Sequence, residues 1–132
     1  MNLEQQVTSL ALSKRLKELG VKQMALFWWS EHTIPATLWN EHDLGENDPY
    51  AGVSDESVAA FTVAELGELL PNYFKHQEYG YINLVMMKLD DGRAEVMYKA
   101  RLDCVLVERS DTEAEARGLV LAHLIENKLL SA

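Results

Sequence analysis

Between Lys22 and Lys75 the chain has no lysine or arginine, a gap of fifty-two consecutive positions from 23 to 74. Cysteine occurs once, at Cys104, which excludes an intrachain disulfide and any zinc site built from paired thiolates. A single thiol suits a reducing compartment. No apolar run approaches the roughly eighteen residues that span a bilayer. The N-terminal MNLEQQVTSL lacks the basic start and apolar core of a secretory signal. These absences together lead to the expectation of a cytoplasmic protein without a membrane partner.

The cation-free stretch is rich in carboxylates: Glu31, Glu41, Asp43, Glu46, Asp48, Asp55, Glu56, Glu65 and Glu68. The rest of the chain balances twelve acids against all twelve basic residues, so the net charge of −9 originates here. The same stretch holds all three tryptophans, Trp28, Trp29 and Trp39. An isoelectric point near 4.8 argues against direct nucleic-acid binding, because affinity for phosphate rests on clustered Lys and Arg. It favours a cationic partner.

A length of 132 residues, 48% of them hydrophobic, predicts one domain over 1–132 with a core that needs no metal or disulfide. Leu12, Leu16 and Leu19 fall on one face of a helix over Ser9–Leu19, with Ser9 as N-cap and Gly20 as its left-handed stop. Residues 24–30, MALFWWS, read as a buried strand, and Ala36–Glu41 as a second one after a turn at Pro35. Residues 43–56 are polar, contain Gly45, Pro49 and Gly52, and form a long loop on composition. Thr62 with Glu65 makes a capping box, flanked by a Phe61–Leu66 staple, so a helix follows until Pro71.

Tyr81–Leu89 and Ala94–Asp103 form a hairpin around Asp91-Gly92. A two-residue loop there places Leu89 opposite Ala94 and Lys88 opposite Glu95. Val85, Met87, Val96, Tyr98 and Ala100 then share one face, with Glu95, Lys99 and Arg101 outward. Cys104–Val107 is continuously apolar, as in a central strand whose cysteine is a small core residue. A last helix runs from Asp111 or Thr112 to about Glu126, and both Ser110…Glu113 and Thr112…Glu115 fit a capping box. Its middle is apolar nearly all round, so it is either sandwiched or meets a second subunit through Leu119, Val120 and His123. The expected fold is α+β: an antiparallel sheet of four or five strands packed by about three helices.

SLALSKRLKELGVKQMALFWW, AAFTVAELGELLP and DTEAEARGLVLAHLIENKLL together resemble a family of small bacteriophage and mobile-element proteins, over about half of the chain. The resemblance implies a mobile-element setting and carries no activity, cofactor or site residue with it. The acidic loop and the two Trp-x-Glu-His segments, at Trp29–His32 and Trp39–His42, depart from the family pattern.

Several chemistries can be weighed on the residues. His32 and His42 with neighbouring acids suit a transition metal, but adjacent Glu and His on a strand face opposite ways, and no H-E-x-x-H helix exists. Cys104 with His123 lacks any accompanying nucleophile signature, and no G-x-S-x-G elbow or phosphate loop occurs. LSKRLKELGVKQMALFWW has the outline of a helix-turn-helix, yet Met24–Ser30 holds no basic or amide side chain to read bases. What remains is a non-enzymatic protein contact without cofactors. Trp28, Trp29 and Trp39 would be its anchors, ringed by Glu31, Glu41, Asp43, Glu46 and Asp48 and facing a basic partner. An acidic mimic of DNA is a narrower form of that expectation, a small-ligand or metal protein the alternative, and a homodimer is compatible with either.

Overall fold

The computed structural model describes residues 2–30, 37–40 and 57–132. The predicted α+β class holds, with three α-helices and antiparallel strands among the described residues, but the strands divide between two sheets. One sheet contains β1 (Phe27–Ser30), β2 (Thr37–Asn40) and β3 (Ser57–Ala60) in the order β2-β1-β3. The other runs β4-β5-β6-β7, from Tyr73–His76, Gly80–Lys88, Ala94–Lys99 and Cys104–Ser110. The helices are α1 (Leu10–Glu18), α2 (Val63–Leu69) and α3 (Glu113–Glu126).

Local signals set the helix ends. The Ser9 hydroxyl accepts from the Leu12 amide to start α1, and Gly20 follows its end at φ +93°. Thr62 and Glu65 close the capping box of α2 in both directions, and the staple residues Phe61 and Leu66 are buried. Thr112 caps α3, but Glu115 does not complete a second box. Its carboxylate crosses to α1 and accepts from the Ser9 amide at 2.8 Å and the Ser9 hydroxyl at 2.6 Å. One acid therefore caps a neighbouring helix and fixes the α1–α3 crossing. At the other end of that crossing, Arg15 grips Glu126 with two hydrogen bonds, which hold the Glu126 carboxyl below its ordinary range.

Helix α3 is sandwiched between β6 and β7 on one side and α1 and α2 on the other. Its apolar circumference is thus used within the chain, and Val120 is completely buried. Gly118 marks the closest approach, since a Cβ there would lie 2.7 Å from Leu12 Cδ2 and 2.9 Å from Thr8 Cγ2. Thr8 ties three elements together. Its amide donates to the Phe61 carbonyl, its hydroxyl accepts from the Phe61 amide, and its carbonyl accepts from the Trp29 indole. The Tyr98 phenol, buried and donating to the Pro71 carbonyl, is pushed above its ordinary pKa by desolvation.

The β5–β6 register differs from the expected one by a single residue. Leu89 pairs across to Arg93, leaving a three-residue turn over 90–92 with Gly92 at φ +89°. Lys88 consequently faces Ala94, and Met87 faces Glu95. A one-residue slip exchanges the two faces of one strand relative to the other. Met87 joins Glu95 on the face away from α3, and Glu95 is buried there beneath Arg109 and not solvated. Strand β7 is an edge and not a central strand, and its Cys104 is exposed. Two short strands, β3 and β4, carry no sequence expectation.

Candidate functional site

Strand β1 alternates half-buried and buried positions, so Trp28 and Trp29 face opposite sides. Trp28 shares its face with Trp39 and Ala59, lies in the core at 2% exposure, and donates its indole N–H to the Ala25 carbonyl at 3.0 Å. It is a core residue and not the exposed anchor expected from sequence. Trp29, beside Leu38 and Val58, is half-buried and reaches Thr8. Trp39 is half-buried against the core, its N–H on Thr37 Oγ1. Every indole donor thus finds its acceptor within the chain.

The expected carboxylate rim, Glu31, Glu41, Asp43, Glu46 and Asp48, lies outside the described residues, as do His32 and His42. Among the described residues no cluster of three metal-ligating side chains occurs. Leu119, Val120 and His123 do not form a free helix face. Val120 is interior, Leu119 packs on the core, and His123 Nδ1 stands 3.6 Å from Glu108 on β7. No contact joins Cys104 to His123; the thiol lies 3.5 Å from the Leu106 carbonyl.

A groove of about 520 Å³ opens instead between the segment before β1 and helix α2. Trp28 and Phe61 line its interior, and Lys22, Glu65 and Glu68 stand on its rim. Residues 24–30 were expected to be one buried strand, but pairing with β3 begins only at Phe27, because β3 gives way to the α2 cap at Thr62. The amide of Leu26 bonds the Glu65 carboxylate at 3.1 Å in place of a strand neighbour. Ahead of β1 the alternation reverses: Ala25 is inward, while Met24 and Leu26, which share their parity with buried Trp28, turn outward, 64% and 59% exposed. Leu69 of α2, 40% exposed, faces the same groove. The cue available in sequence was the capping Glu65, whose second oxygen had no assigned donor.

The outer face of the four-stranded sheet is the second surface that no described helix covers, open at its β4–β5 end and closed over Glu95 and Met97. Val85, Met97 and Val107 form a row across it, with Tyr73 and Tyr81 at one end and the Glu95–Arg109 pair at the other. No helix among the described residues is long and apolar enough to cross a membrane. The chain matches no known family model, no curated protein and no solved structure.

Proposed function

We propose that this chain is a non-enzymatic binding module that receives an apolar, cationic segment of another protein in the groove between residues 22–26 and α2. The observation that carries this reading is the grouping of Met24, Leu26 and Leu69, three large apolar side chains left in solvent around one concavity. Contiguous apolar surface of that kind marks interaction sites. Charge selects the partner's sign: among the described residues Glu65 and Glu68 border the groove against Lys22 alone, and the stretch that follows Lys22, positions 23–74, has no Lys or Arg. A mobile-element setting for that partner rests on the sequence resemblance only.

The test uses an amphipathic Leu/Lys peptide and its Leu/Glu counterpart, titrated against the protein with tryptophan emission as the signal. The Leu/Lys peptide should bind in a salt-sensitive way, and the Leu/Glu peptide should not. Met24→Glu and Leu26→Glu, both at exposed positions, should abolish binding while leaving the thermal midpoint unchanged. Equal binding of the two peptides, or full binding by both variants, refutes the reading.

A further inference from the structure

The opposite end of the molecule presents a different chemistry. In the register of β4, β5 and β6, Tyr73 faces Asn83, Asn83 faces Lys99, and Lys75 faces Tyr81. Directly opposed residues share a face, so these five side chains stand together on the sheet surface away from α3. Both tyrosines are 63% exposed, with ring centroids 6.0 Å apart and planes at 61°. Arg101, from the β6–β7 turn, lines a shallow depression with Tyr81, where Glu78 and Asp103 also lie. Among the described residues, Lys75, Lys99 and Arg101 form no ion pair. Three cations thus stand beside two solvent-facing rings, with Glu78 and Asp103 as the acids of the adjoining depression.

We propose that this corner of the sheet binds single-stranded nucleic acid, with bases stacked on Tyr73 and Tyr81 and phosphates held by Lys75, Lys99 and Arg101. Aromatic platforms bordered by cations hold unpaired strands because every base offers a π-face and every linkage a negative charge. An acidic peptide would satisfy the cations but leave the two rings without a role. A duplex keeps its bases stacked on one another and offers none to the tyrosines. The low isoelectric point does not by itself oppose this reading, because outside positions 23–74 the chain carries twelve basic residues against twelve acids, and Lys75, Lys99 and Arg101 are among the twelve. Phosphate attraction is local once salt screens charges more than about 10 Å apart.

The inference is independent of the groove and is tested by fluorescence anisotropy with a labelled oligothymidine of about twelve nucleotides, within the span one small domain covers. Tyr73→Ala and Tyr81→Ala should each weaken binding by about fivefold or more, the effect of losing one stacked base, while Tyr73→Phe and Tyr81→Phe retain it. Lys75→Gln and Lys99→Gln should each lower the salt slope by about 0.7, one phosphate contact on a single strand. A labelled duplex should bind far more weakly, and Leu26→Glu in the groove should change nothing. The positions are exposed, so circular dichroism should show the variants folded. Absence of oligothymidine binding at low salt overturns the proposal. So does unchanged binding by both alanine variants, or equal competition by polyglutamate, which would assign the cations to an acidic protein segment.

Discussion

The two sheets use their aromatic residues in opposite ways. In the three-stranded sheet each tryptophan ends on an acceptor inside the protein: Ala25 for Trp28, Thr8 for Trp29 and Thr37 for Trp39. In the four-stranded sheet Tyr98 is sealed against Phe74 and Pro71, while Tyr73 and Tyr81 on the reverse face meet solvent. Side-chain type therefore does not decide which aromatic is available. What decides is whether a second layer of chain arrives to supply an apolar cover and a hydrogen-bond partner. The N-terminal arm does this for Trp29 through Thr8; no described element does it for the outer face of β4 and β5.

The sharpest way to break the comparison is Trp28→Ala. Removing a completely interior indole from beneath the groove should cost about 3–5 kcal/mol, read as a lower urea midpoint. A loss below about 1 kcal/mol would mean that Trp28 is a surface residue in solution and the contrast between the sheets fails. Thr8→Val is the next largest. It keeps the shape but leaves the buried Phe61 amide without its acceptor, at about 1–3 kcal/mol. Thr8→Ser should recover most of that loss, because the hydroxyl and not the methyl carries the bond.

Features set by three or four neighbouring residues were legible in the sequence. Ser9, Gly20, Thr62 with Glu65, and Phe61 with Leu66 all act within one helical turn, and the structure has each where the pattern puts it. Features set by distant partners were not. Asp91-Gly92 supports a two- or a three-residue turn, and the choice between them moves Met87 and Glu95 onto one face. Strand β3 is buried at all four positions, so it has no alternation to detect. Met24 and Leu26 belong to an unbroken apolar run, and only the Thr62 cap, some forty residues later, reveals that β3 does not extend alongside them. The same limit applies to the tryptophans. Alternation shows that Trp28 and Trp29 must diverge, but Thr8 and Ala25 decide that neither is left open.

The smallest effect sharpens the comparison from the other side. Tyr73→Ala and Tyr81→Ala remove rings that are 63% exposed and meet each other edge to face. Exposed substitutions away from caps, cores and ion pairs usually change stability by no more than about 0.5 kcal/mol. The edge-to-face contact between the two rings adds about 0.5–1.5 kcal/mol at most when it is removed. Because that contact is shared, the double variant should cost little more than either single one, and a thermal-melting cycle over the four proteins measures the difference. Near-neutral behaviour means that the rings do not serve the fold, which leaves ligand contact as the reason for two large aromatic faces in water. A loss approaching that of Trp28→Ala would instead make Tyr73 and Tyr81 part of a second core, and the outer face would no longer be an open surface.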